Sequence, residues 1–470
     1  MKENRIDLWL ALIIFVLNLI ARLVHYQFPG LHMDEAFSGI QTYKILHGGL
    51  PISGMNNYTG PFFDYLRVPI FAFGQNLLTL RLLSFLSASL ASVVLYFILR
   101  RQFNSKSAFV GALIFSLSNW FFLSSRIAWE VAFFPSIVIL ALFGFLSQRK
   151  ILKFLAAILC TLAFWSHPLF IVALIPLIIL VVIIEKTNRQ FINLSIIIGG
   201  FVLGLIPRFL QIILRGLDLT NAHQQTGIIY KNFFLNCLQF LPKFYAGDIG
   251  YIRQFSKVNL PLGGIILILT CLIVIAGILM ILFKQKKLIY IPLLFTIAGS
   301  VSLLLVCYLV PWITFRYLLI PLTFLSLAVC FLSAILAQYK YFQLLPIALI
   351  IVFAGSWYVN FYKYPTDQTI KEFQYGTIED TNAHFLDSSP LYKCLKENFS
   401  SWKIMAQPSI ARPLEFYDMK EQSIKIIEVE NKDEASDAEL YLTYQTENLP
   451  EGFAMISTCS DVNFSLNEKL

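Results

Sequence analysis

The chain has 470 residues, 57% of them hydrophobic and only 14% charged, with a net charge of +8. A soluble domain carries about a quarter charged residues, so these values exclude an ordinary soluble enzyme and point to an integral membrane protein. The positive excess has a ready partner in anionic lipid headgroups and gives no reason to invoke nucleic acid.

A helix crosses a bilayer with about 20 mostly apolar residues. The first such segment, 7–26, lacks a small-residue cleavage site and precedes many others, so it reads as a retained first span. A long loop, 27–77, follows. Within it Ala36, Phe37, Ile40 and Tyr43 share one helical face and Gly48-Gly49 ends the pattern, which predicts a helix lying in the membrane interface. Asp34-Glu35 opens that helix, and Asp34 is placed either to cap it or to do chemistry.

Further spans are expected at 78–99, 107–123, 131–147, 151–166, 168–184, 191–210, 259–283, 288–310, 317–336 and 341–361. His167-Pro168 separates the pair within 151–184, because proline disfavours helix in the residue before it. The count is about eleven. Residues 364–470 differ in kind. Residues 1–363 hold 27 Lys/Arg and 9 Asp/Glu, a net of +18, and 364–470 hold 9 and 19, a net of −10. The tail reads as a small α/β domain, with a helix at 390–400 and strands at 424–430 and 438–444. It holds Cys394 and Cys459, which could pair if the tail is extracytoplasmic.

Fourteen Lys/Arg fall in six short segments: Lys2 and Arg5; Arg100, Arg101 and Lys106; Arg149, Lys150 and Lys153; Lys186 and Arg189; Lys284, Lys286 and Lys287; and Lys340. The positive-inside rule makes these cytoplasmic. The N-terminus is then inside, and an odd number of spans puts the tail outside. The long loops 27–77 and 211–258 share the outer face, where chemistry is expected. Only Asp34, Glu35, Asp64, Glu130, Asp218 and Asp248 supply carboxylates there. Cations in 208–257 give that loop a net of +4, suited to phosphate or headgroups.

Several stretches in order resemble one family. They are HMDEAF (32–37), KILHGGLP (44–51), Gly60-Pro61 with Tyr65 and Pro69, LTLRLLS (78–84), SNWFFLSSRIAWE (118–130) and FRYLLIPL (315–322). Together they resemble the polyprenyl-phosphate-sugar-dependent glycosyltransferases of the GT-C fold, notably the protein O-mannosyltransferase and lipid A aminoarabinose transferase group. The resemblance covers 1–336 well and the tail poorly. It departs at Gly60, where aminoarabinose transferases carry a lysine before paired prolines.

The resemblance implies an α-helical polytopic membrane protein, with 1–363 as a transmembrane glycosyltransferase domain and 364–470 as an extracytoplasmic soluble domain. It implies an inverting transfer from a polyprenyl-phosphate-linked sugar to a lipid, glycan or protein acceptor. A phosphate leaves without a general acid, so one carboxylate suffices as base, and cations must stabilise the departing phosphate. The candidate catalytic residues are Asp34, with Glu35 beside it. The candidate phosphate ligands are Arg81, Arg126, Arg316 and Tyr317, and the candidate cleft residues are Asp64, Tyr65 and Tyr58. No metal ligand set is evident, so a divalent metal stays an open question, and no cofactor is assigned. The alternative from another class is a transporter or flippase of lipid-linked glycans. Such a protein would keep charges deep within its spans, whereas the acidic residues here cluster at span ends.

Overall fold

The structure is a computed structural model. It describes residues 2–27, 30–54, 59–187, 191–215, 253–284, 288–309, 315–358, 389–400, 402–406, 408–429, 440–444, 453–456 and 464–469. Tyr58, Cys459 and most of loop 211–258 lie outside these residues.

The first long helix, α1 (Lys2–Leu23), leads into the shorter α2 (Met33–Leu46) and α3 (Phe62–Phe71). Then come α4 (Leu77–Arg100), α5 (Ser105–Leu117), α6 (Asn119–Ser124), α7 (Phe134–Phe145), α8 (Lys150–Ser166), α9 (Ile171–Thr187) and α10 (Phe191–Arg215). After the loop, α11 (Arg253–Lys284), α12 (Tyr290–Leu309), α13 (Phe315–Leu336) and α14 (Leu344–Trp357) complete the helical part. Among the described residues five segments are long and apolar enough to cross a membrane, within α1, α4, α10, α11 and α13; others, such as α5, α12 and α14, are apolar but shorter. Apolar residues such as Ile198, Val202, Ile268 and Ile275 are exposed on α10 and α11, as lipid-facing helices require.

Two breaks in the helices matter. The expected span 107–123 is split at Ser118, whose ψ of 129° leaves the helical region. The expected break at His167-Pro168 is present: α8 ends at Ser166, His167 is extended, and a single 3-10 turn (Pro168–Phe170) precedes α9. The core is rich in aromatic side chains, with Phe63 stacked on Phe133 at 4.2 Å and Phe122 on Trp357 at 3.8 Å. At the Lys2 end of α1, Asp7 accepts from Arg100 Nε (2.9 Å) and Ser105 Oγ (2.7 Å), tying α1 to α4 and α5.

In the tail, α15 (Ser389–Asn398) and α16 (Pro408–Asp418) accompany β1 (Lys403–Ala406), β2 (Lys425–Glu428), β3 (Leu440–Tyr444), β4 (Phe453–Ile456) and β5 (Phe464–Lys469). The sheet order is β2-β1-β3-β5-β4, with β1 parallel to β2 and β3 and the β3–β5 and β5–β4 pairs antiparallel. Leu391, Leu395, Ile410 and Leu414 bury the apolar faces of α15 and α16 against Ile404, Ala406 and Leu442. Cys394 is disulfide-bonded.

The other face of α16 docks on α2. Phe416 and Met419 join Leu31, Ala36, Phe71, Leu80 and Ala128 in a separate buried cluster. Gly39 makes the approach possible, since a Cβ there would lie 2.4 Å from the Phe416 ring. Lys420 Nζ donates to the Gly74 carbonyl at 3.0 Å and adds a polar tie.

Candidate active site

The outer loop folds back as α2 and α3, and Asp34 lies in the first turn of α2. The cap of α2 is not Asp34 but His32, whose Nδ1 accepts from the Asp34 backbone N–H at 3.1 Å. His32 is buried edge-on to Trp129 at 4.9 Å, which fixes the ring. The Asp34 carboxylate lies 3.7 Å from His32 Nδ1 and sits in the favourable field of a helix N-terminus.

Asp34, Phe37 and Ser38 share one face of α2 by their i, i+3, i+4 spacing. That face lines a small pocket. Its other walls are Gly54, Thr59 and Gly60, then Phe63 and Asp64 of α3, Glu130 and Ser166. Three carboxylates from three elements therefore face one space, and Asp34 is only 6% exposed. Among the described residues no three His, Cys, Asp or Glu side chains form a metal-binding group.

Asp64 is paired with Arg67, whose Nη1 donates to Oδ1 at 2.9 Å. Arg67 is fully buried and also donates to the Ala128 carbonyl (2.7 Å). Burial pushes the Asp64 carboxyl up to about 6, against the opposing pull of Arg67 and a hydrogen bond from Ser38. The sequence reading had missed Arg67 and His32. The visible signal for Arg67 was an Asp and an Arg three apart in an otherwise apolar helix.

Four candidates are held by partners within the protein. Glu35 is fully buried, and its two oxygens take Arg81 Nε (2.7 Å), Arg81 Nη2 (2.6 Å) and the Ala128 backbone N–H (2.8 Å). A carboxylate so engaged ties α2 to α4. Arg81, in turn, is fully buried on Glu35 and the carbonyls of Tyr26 and Gly30. Arg126 is also fully buried. Its guanidinium donates to the carbonyls of Ala21 (3.2 Å), Val24 (3.0 Å) and His25, closing the C-terminal end of α1. Tyr65 does not line the pocket; its hydroxyl donates to the Pro51 carbonyl at 3.0 Å and pins the loop. Tyr317 is partly buried, packed on the helical core. The Arg316 side chain lies outside the described residues.

Gly60 has a local reason. A Cβ at this position would lie 2.5 Å from Trp165 Nε1, so the indole occupies the space that a side chain would need. Trp165 Nε1 donates to Gln211 Oε1 (3.1 Å), Gln211 Nε2 donates to the Thr59 carbonyl (2.7 Å), and Arg208 Nη1 donates to Gln211 Oε1 (2.8 Å). This relay leads from the Gly60 end of the pocket to the cation of Arg208.

The helical scaffold, with a buried aspartate in the first turn of α2, is similar in fold to solved membrane glycosyltransferases. ArnT from Cupriavidus metallidurans bound to undecaprenyl phosphate superposes with a TM-score of 0.56 at 11% identity, covering 99% of this chain and 97% of that one. The apo form gives 0.55 at 10% identity with the same coverage. The oligosaccharyltransferase AglB from Archaeoglobus fulgidus, in complex with an inhibitory peptide and a dolichol-phosphate, gives 0.50 at 10% identity, over 93% of this chain and 69% of that one. At such identities the likeness is one of fold. In sequence, residues 59–211 match the family model described as dolichyl-phosphate-mannose-protein mannosyltransferase, while no curated protein matches the chain. The resemblance to the polyprenyl-phosphate-dependent GT-C group therefore holds in fold over nearly the whole chain and in sequence over 59–211.

Proposed function

We propose that the chain is an inverting membrane glycosyltransferase that moves a sugar from a polyprenyl-phosphate carrier to a lipid, glycan or protein acceptor at the outer face. One observation carries the reading: Asp34, a buried carboxylate in the first turn of α2, lines a pocket with Asp64 and Glu130 in a fold similar to that of ArnT and AglB. The lipid-phosphate ligands of the ArnT and AglB complexes support the donor class.

In the proposed reaction Asp34 takes the proton of the acceptor hydroxyl. The acceptor oxygen attacks the anomeric carbon from the face opposite the phosphate. The carbon–oxygen bond to phosphate breaks, and polyprenyl phosphate leaves with its electron pair. Arg208 is the phosphate-side cation, since the relay through Gln211 reaches it from Gly60, where the lysine of aminoarabinose transferases is missing. Arg316, at the head of α13, keeps a phosphate role on the resemblance alone. Asp64 and Glu130 form the opposite wall. The eleven-span topology, with the N-terminus inside and 364–470 outside as a separate domain, belongs to this reading; the disulfide at Cys394 supports an oxidising side for the tail.

The test uses the full chain in lipid nanodiscs, a panel of synthetic undecaprenyl-phosphate-linked hexoses and pentoses, and cell-envelope extract as acceptor source. The readout is release of undecaprenyl phosphate. The wild type is expected to release it from at least one donor. Asp34→Asn should still bind undecaprenyl phosphate but turn over about 10²–10⁴-fold more slowly. Near-normal turnover by Asp34→Asn removes it as the base.

A further inference from the structure

The tail packs against α2, the helix that carries Asp34. Helix α16 lies across α2, and Phe416 fits the notch at Gly39, one turn beyond Asp34 and Phe37. Four residues before Phe416 on the same helix is Arg412. Its guanidinium carbon stands 5.7 Å from the centroid of Phe37, the aromatic residue that lines the pocket beside Asp34. Arg412 is not a loose surface cation. Nε and Nη2 donate to the two oxygens of Glu428 on β2, at 2.8 and 2.7 Å. A two-pronged bond of this kind fixes the plane of the guanidinium as well as its position, and stacking on Phe37 adds a second constraint. The Asp34 carboxylate lies within its electrostatic reach.

We propose that Arg412 is a positioning residue of the transfer reaction. It is carried by the C-terminal domain, anchored by Glu428, and holds the Asp34–Phe37 face of α2 in register with the pocket. The proposal rests on the glycosyltransferase reading above. It gives the tail a defined part in catalysis. The other charges around α2 do not duplicate it: Glu35 is consumed by Arg81, Asp64 by Arg67, and Lys44 lies in the last turn of α2, away from Asp34.

The experiment uses the full chain in nanodiscs and the donor that the wild type cleaves, with kcat and donor KM read from undecaprenyl phosphate release. Arg412→Gln is expected to lower kcat about tenfold, the scale of a small misplacement of a reacting group, with donor KM within about twofold of wild type. Arg412→Lys keeps the cation but loses the two-pronged bond and the flat face on Phe37, and is expected to recover kcat only in part. Normal kcat in Arg412→Gln overturns the proposal, as does equal loss in the Gln and Lys variants, which marks a purely structural role. Should Arg412→Gln fail to fold, Glu428→Gln carries the test: it keeps the cation and loosens its anchor, and normal kcat there overturns positioning. A wild type that cleaves no donor overturns the glycosyltransferase reading and this role with it. An active wild type, an inert Asp34→Asn and an indifferent Arg412 sink only this proposal.

Discussion

At the scale of single residues, Asp34 and Glu35 are neighbours with opposite fates. Glu35 neutralises a buried arginine, so Glu35→Gln leaves Arg81 charged and enclosed. The expected cost is about 3–5 kcal/mol, visible as a large fall in melting temperature. Asp34→Asn should melt near wild type, because His32 caps α2. Asp64 makes a second prediction. Its folded carboxyl holds a proton up to about 6, while the unfolded one releases it near the ordinary carboxylate value of about 4. Between these values the native state binds more protons, so stability falls as pH rises, by on the order of 2–3 kcal/mol. Asp64→Asn should flatten that slope in thermal melts taken from pH 4 to 6.5. Sequence could select Asp34, since few carboxylates lie on the outer side and its neighbours resemble a family motif. It could not show that Arg81 and Arg126 are engaged within the protein. Their partners are 46 and about 100 positions away, and a basic residue on the outer side looks the same whether it faces a substrate or a carbonyl.

At the scale of elements, the joint between α2 and α16 is the one most open to test. Gly39→Ala puts a methyl against the Phe416 ring, with an expected overpacking cost of about 1–3 kcal/mol. Phe416→Ala removes the ring from a buried cluster, at about 3–5 kcal/mol. The double variant should cost less than the sum, because the added methyl then enters the vacated space; strict additivity in melting experiments would show that the two do not touch. The helix over 33–46 was readable from its spacing and its ending, and Gly48 does turn the chain with φ +93°, but its apolar face packs on Phe71, Leu80 and Phe416 of the protein itself. The joint was not, because Gly39 and Phe416 are 377 positions apart and nothing local in either helix names the other. The same holds for the sheet. The strands 425–428 and 440–444 fall where alternation put them, but pairing through β1, β4 and β5 is a matter of long-range register.

At the scale of the whole molecule, the orientation proposed for the spans makes a direct prediction. A membrane-impermeant maleimide applied to intact cells should label a cysteine placed at Glu451 and spare one at Gln102; the reverse pattern would put Asp34 on the wrong side. The membrane character was legible because long apolar runs alternate with short basic segments, and five helices among the described residues are long and apolar enough to cross a bilayer. The helix broken at Ser118 escaped notice, since its residues are apolar on both sides of the break. The seat of α16 on α2 also orders events in time. Helix α2 leaves the ribosome with the first fifty residues, but the element that covers its Gly39 face arrives only with residues 408–418. At about 5–20 residues per second, that interval is roughly 20 to 75 s. Throughout it the nascent chain has Asp34 but no Arg412 or Phe416 beside its helix, so an interrupted chain leaves the Gly39 face of α2 without its cover. Under the proposed reading, full rate therefore waits for translation to near its end, and a half-made chain works more slowly than a finished one.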